Sequence, residues 1–184
     1  MKLLFRALLL LLMLSTAWEA GASDENRLFM VGLNLFPNIV SIDQDIAKKR
    51  ADDGKVYLLI VYEHESMQAT RLAERLRKQV TSIKAFATEI VTLKASELSS
   101  FPKRSAGVFL AEKISDDLLK LVISRTSKDG TLLFSPIPGD VERGVTMGMK
   151  ITSKIWPYCN TNAMKASNIR FHPSFIKIMR CYDE

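Results

Sequence analysis

The chain is poor in the side chains on which most enzyme chemistry depends. Its 184 residues include two histidines, His64 and His172, and two cysteines, Cys159 and Cys181. That supply, with no Cys-x-x-Cys spacing, argues against a zinc site. It also excludes a disulfide-dense miniature scaffold. Gly-x-Gly-x-x-Gly, the P-loop and the Gly-x-Ser-x-Gly elbow are missing, so no phosphate-cradling or nucleophile-presenting turn is written in the sequence. Repeats and low-complexity stretches are absent, and no Gly/Ser- or Pro-rich linker divides the chain. Beyond the N-terminus, no apolar run approaches the ~20 residues that a membrane-spanning helix needs.

What is present has ordinary globular proportions. Apolar residues make up 47 % and charged residues 25 %, with a formal net charge of +6. The length suits one domain with a core of useful size. Lys2 and Arg6 precede the apolar run Ala7 to Leu14, and Ala20-Gly21-Ala22 supplies small residues behind it. This is the pattern of a secretory signal peptide, so residues 1–22 are expected to be removed and 23–184 to form the exported domain. In an oxidising compartment Cys159 and Cys181 are expected to pair, closing a loop that contributes ~3 kcal/mol. A redox switch is the alternative role for the pair.

Alternating strand and helix signals follow. Asp24 to Phe36 reads as a helix with Leu28, Val31 and Leu35 on one face and Phe29 and Phe36 beside it, ended by Pro37. Asp43 to Lys49 suggests a short helix, and Asp52-Asp53-Gly54 a turn. Val56 to Tyr62 is the clearest strand, apolar enough for burial on both faces. Ser66 is positioned to cap a helix over Met67 to Val80. Strands are expected at Ala87 to Leu93, Gly107 to Ala111 and Thr131 to Phe134. Ser96 to Ser100 reads as a short helical or loop segment. A helix over Ile114 to Ser127 would turn Leu118, Leu121 and Val122 inward. Gly144 to Lys150 and Ile155 to Asn160 read as a hairpin, with Pro157 at an edge or bulge. Short helices are expected at Thr161 to Ala166 and Pro173 to Tyr182. The pattern predicts an α/β fold: a mixed, largely parallel β-sheet flanked by helices, with an antiparallel C-terminal hairpin.

The C-terminal third carries a resemblance. Gly144-Val145-Thr146-Met147-Gly148-Met149, Lys154-Ile155-Trp156-Pro157, Asn160, Ala163, Lys165-Ala166-Ser167, Ile169-Arg170-Phe171 and Ser174-Phe175-Ile176-Lys177-Ile178 occur in a telling order. This resembles the YfiR-like family of small exported regulatory proteins. Cys159-Asn160 stands where that family usually has Ile-Asn, and Asn168 where it has Gly. Leu35-Phe36-Pro37-Asn38 lacks the tryptophan found there in better-known members. The resemblance implies a periplasmic α/β protein without catalytic activity. Such a protein restrains a membrane-bound diguanylate cyclase by binding its periplasmic sensor region, and so bears on cyclic di-GMP signalling.

The candidate site residues are His64, Ser66, Arg71, Arg75 and Trp156. His64 follows the best strand, at the edge where open α/β sheets bind ligands, so a ligand-contact loop or a His–Glu acid/base pair is one reading. A solvated polar loop is the plainer one. A small-ligand sensor domain, serving a transporter or histidine kinase, would need a deep pocket near His64, Ser66, Ala111 and Ser135. Arg71, Arg75, Arg77, Lys78 and Lys84 lie along one helix and its exit, and suit an acidic partner or anionic membrane surface, or simply a solvated face. Export argues against nucleic acid. Trp156 anchors a protein partner if exposed. No catalytic set, cofactor or metal is expected. A homodimer remains open.

Overall fold

The computed structural model describes residues 27–183. The expected signal peptide therefore lies outside the described residues. The fold is α/β, and the architecture expected from the strand and helix pattern is the one observed.

Residues 27–42 are helical and form α1. The helix does not stop at Pro37. A proline inside a helix removes one backbone hydrogen bond and costs ~3 kcal/mol. Leu33, Phe36, Ile39 and Val40 are all buried around it, and each such side chain contributes roughly 1.5–3 kcal/mol on burial. The side-chain amide of Asn38, the next residue, donates to the carbonyl of Asn34 at 3.0 Å. The buried stripe is Phe29, Leu33, Phe36 and Val40, while Leu28, Val31 and Leu35 are only half-buried. The expected face is thus one residue out of phase.

A 3₁₀ turn, Ile46–Lys49, replaces the expected short helix over 43–49. The Lys49 ammonium pairs there with the buried Asp43 carboxylate. The turn at 52–54 follows, with Gly54 at φ +78°. Next come β1 (Val56–Tyr62), α2 (Ser66–Gln79), β2 (Ser82–Ile83) and β3 (Phe86–Lys94), then a 3₁₀ turn at Ala95–Ser100. The small strand β2 has no counterpart in the sequence reading. The chain continues through β4 (Gly107–Leu110), α3 (Asp116–Asp129), β5 (Leu132–Phe134), β6 (Met147–Ile151), β7 (Ile155–Asn160), α4 (Thr161–Ala166), α5 (Pro173–Ile176) and β8 (Arg180–Tyr182).

The eight strands form one sheet in the order β2-β3-β1-β4-β5-β6-β7-β8. From β3 to β6 the pairs are parallel; β6–β7 is antiparallel and β7–β8 parallel. Alternation along β1 sends Val56, Leu58 and Ile60 into a core that includes buried residues of α1 and α2. Leu59 and Val61 enter a second core with Leu119 and Val122 of α3. The rings of Phe36, Phe109 and Phe134 meet at 5.6–5.9 Å where α1 crosses the sheet. A Cβ on Gly107 would stand 2.7 Å from the Phe36 ring, so a hydrogen there lets α1 lie directly on β4.

Three further expectations are corrected. Ser66 is the first residue of α2, and Glu65 takes the cap position without a side-chain bond. Leu121 is 42 % exposed, because Leu119, Val122 and Thr126 make the inward stripe of α3. Pro157 does lie at an edge, as expected, although β8 pairs beside the rest of β7. That pairing begins at Tyr158, one residue past Pro157, so the proline's missing N–H interrupts no ladder. The expected helix over 173–182 is only Pro173–Ile176, followed by β8. Cys181 lies opposite Cys159 in the β7–β8 register, and the two form a disulfide with Cα atoms 4.5 Å apart.

Candidate functional site

The strand order changes direction at β1, which has β3 on one side and β4 on the other. In open α/β sheets the crevice outside the carboxyl ends of such strands is the usual ligand site. Here the protein's own carboxylates fill it. The backbone N–H groups of Glu63, His64 and Glu65 all donate to Oε1 of Glu112, at 2.8, 2.8 and 2.7 Å. Ser115 donates its N–H and hydroxyl to the Glu63 carboxylate at 2.7 and 3.0 Å. These bonds hold the Glu63 carboxyl below its ordinary range, the Ser115 N–H contributing most. Glu112 follows β4 and Ser115 precedes α3, so two loops are laced together across the crevice.

The residues expected to line a pocket are spent in the same way. The Gln68 amide donates to the Ala111 carbonyl. Ser135 is buried and donates to Asp140 Oδ2 at 2.6 Å, while Arg143 donates to Oδ1 at 2.8 Å. His64 is 77 % exposed, with Nε2 3.5 Å from Glu63 Oε1. Ser66 is exposed, and its carbonyl accepts from Thr70 at 2.9 Å. The expected deep pocket near His64, Ser66, Ala111 and Ser135 is therefore replaced by a filled polar junction.

An open cavity lies elsewhere, between the two helices on one face of the sheet. It encloses about 540 Å³ and is lined by Phe29 and Met30 of α1 and by Gln68, Arg71, Leu72, Glu74, Arg75 and Lys78 of α2. Phe29 and Leu72 are buried and form its floor. Gln68, Arg71, Arg75 and Lys78 recur at i, i+3, i+7 and i+10, so one helical stripe carries three cations along the rim. Among the described residues, none of these three cations is held in an ion pair or hydrogen bond. Glu74 is the one acid in the lining. The fourth cation of the helix, Arg77, turns away and donates to the Ile90 carbonyl of β3 at 2.7 and 3.1 Å.

The structure thus brings Arg71 and Arg75 together in one groove. It leaves His64 and Ser66 at the strand edge and places Trp156 on β7, half-buried, with the Arg180 guanidinium 4.9 Å above its ring. Phe29, Met30, Leu72 and Glu74 are groove residues that sequence reasoning missed. Lys78 was legible beside Arg71 and Arg75; Gln68 was missed, although its spacing of three from Arg71 sets it on the same stripe. Among the described residues no group of three or more His, Cys, Asp or Glu side chains gathers in metal-binding fashion. No helix among them is long and apolar enough to cross a membrane.

Comparisons add the following. No family model matches the chain, and no curated protein matches it in sequence. A structure described as the ABC domain in complex with L-Trp, from Streptococcus pneumonia, has a TM-score of 0.47 at 10 % identity. The alignment covers 78 % of this chain and 60 % of that one. A conserved domain protein from Vibrio cholerae O1 biovar eltor has a TM-score of 0.49 at 13 % identity, covering 74 % of this chain and 57 % of that one. The chain spans less than two thirds of either.

Proposed function

We propose that this is an exported, non-catalytic binding protein whose α1–α2 groove takes a small anionic ligand with an apolar body. The observation that carries this reading is the pairing of an apolar floor, Phe29 and Leu72, with the cationic rim of Arg71, Arg75 and Lys78. A cavity near 540 Å³ falls within the ~300–1,000 Å³ range of small-molecule sites. Guanidinium groups match carboxylate geometry with two parallel N–H donors, and the floor rewards an alkyl or aryl group. The reading belongs to the small-ligand sensor class, with the site moved from the strand edge to the helical layer. The locked Glu63 carboxylate and exposed His64 imidazole support a non-catalytic role.

Calorimetric titration with decanoate and with decanol tests the reading. Decanoate is expected to bind and decanol to bind at least tenfold more weakly. Arg71→Ala/Arg75→Ala is expected to remove that preference while leaving the melting temperature within ~2 °C, since both side chains are surface-exposed. Equal binding of acid and alcohol, or of wild type and variant, overturns it.

A second reading is the one the resemblance implies, a periplasmic protein that restrains the sensor region of a membrane-bound diguanylate cyclase by direct contact. It is favoured by Met67 on the first turn of α2, one helical turn from Arg71 and 76 % exposed, an apolar side chain suited to a protein partner. Co-purification from membranes with Met67→Asp as control tests it. Failure to retain any inner-membrane signalling protein counts against it.

A further inference from the structure

The formal charge of the chain is unevenly placed. Residues 144–182 contain Lys150, Lys154, Lys165, Arg170, Lys177 and Arg180, and no aspartate or glutamate. Those six cations equal the whole net charge of +6, so the remainder is formally neutral. Lys150 and Lys154 lie at the tip of the β6–β7 hairpin, and both are exposed.

That tip stands away from the rest of the sheet. Strand β5 reaches β6 only at the Phe134–Met147 pair, and β8 reaches β7 only from Tyr158 onward. From Lys150 to Trp156 the hairpin is a two-stranded ribbon with no third strand on either side. Such a ribbon is marginal in water unless something covers it. Ile151 and Ile155 are direct cross-strand partners within it, and they are 47 % and 44 % exposed. On the other face Lys150 pairs with Trp156, and its ammonium lies 4.9 Å above the Tyr158 ring. Arg180 covers Trp156 at the same distance. Glu142, at the inner end, lines a shallow cavity with Lys150, Ile151 and Tyr158 and is the one acid there.

We propose that the β6–β7 tip docks on an anionic lipid surface, with Ile151 and Ile155 entering the headgroup boundary and Lys150 and Lys154 pairing with lipid phosphates. Charge complementarity selects this occupant, because residues 150–156 of the tip hold two lysines and no acid, whereas Arg170 farther along is already paired with Asp45. Paired aliphatic side chains beside tryptophan, tyrosine and lysine match the composition that settles at a membrane interface. Each lysine near such a surface strengthens partitioning several-fold, and salt weakens the effect. The proposal does not depend on the α1–α2 groove.

The test is flotation of the exported form, its N-terminus confirmed by mass spectrometry, with vesicles of pure phosphatidylcholine or of phosphatidylcholine with phosphatidylglycerol. Trp156 fluorescence is followed in parallel. Flotation with the anionic vesicles alone, with a blue shift of Trp156, is expected. Lys150→Glu/Lys154→Glu should lower partitioning at least tenfold. Ile151→Ser/Ile155→Ser should abolish the blue shift, and both variants should keep the wild-type circular dichroism and melting temperature. Absence of wild-type flotation, or equal flotation of the variants, overturns the proposal. So does a wild-type dimer that the isoleucine variant loses in light scattering, because a second copy then covers the tip. Crosslinking from position 151 to an envelope protein in preference to lipid also overturns it.

Discussion

At the scale of single residues, Glu112 matters most for the shape of the strand edge. One carboxylate oxygen accepts three successive backbone N–H groups and so sets the β1–α2 loop. Glu112→Ala is expected to cost about 1–2 kcal/mol in urea denaturation. Glu63 makes the pH-dependent counterpart. Its folded pKa lies below the ordinary 4.5, chiefly through the Ser115 N–H, so its stabilisation is present above that value and lost as pH falls through the folded pKa. Wild type should therefore lose more stability than Glu63→Gln between roughly pH 5 and pH 3, read as melting temperature against pH. Sequence reading recognised Glu63-His64-Glu65-Ser66 as a polar loop. It could not show that the loop's acceptor is a glutamate 47 to 49 positions later.

At the scale of elements, the strands were the most legible. Val56 to Tyr62 was read with its observed bounds because an apolar run of that length, closed by polar residues, fits a strand buried on both faces. Helix α4 was also read with its observed bounds, and the Asn160 side chain caps it by accepting from the Ala163 N–H at 2.9 Å. The misreadings share one cause, the pull of tertiary contacts on ambiguous local signals. Pro37 is a stop signal in isolation, yet the buried residues around it carry α1 through. Phe175, Ile178, Met179 and Tyr182 have helical spacing, yet Cys181 must lie extended beside Cys159 to form the crosslink. The disulfide closes 22 positions of sequence, for which chain entropy gives ~3 kcal/mol. The Cys159→Ser/Cys181→Ser variant is expected to lose about that much stability and to lose amide-exchange protection in β8 first, since β8 is a three-residue edge strand.

At the scale of the whole molecule, the organisation is a sheet with a core on each face. The reversal of strand order at β1 creates the crevice where a ligand is usually sought, and the crevice is occupied from within. Open space appears between α1 and α2 because α1 lies on β4 through Gly107 while α2 packs on β1 and β3. Charge is segregated on the same scale. Residues 144–182 carry six cations and no acid, a segregation that no block of consecutive cations announces in the sequence.

The amino-acid sequence alone determined the α/β class, the order of most strands and helices, and the identity of the two cysteines that pair. Those features depend on local periodicity and on a choice with one solution. Only the tertiary structure decided which face of α1 is buried, that the strand-edge crevice is filled, and that Arg71 and Arg75 border a groove with Phe29. It also decided that the β6–β7 tip stands clear of its neighbours. Each of these depends on residues dozens of positions apart meeting in space, and hydrophobic periodicity carries no information about which distant partner arrives.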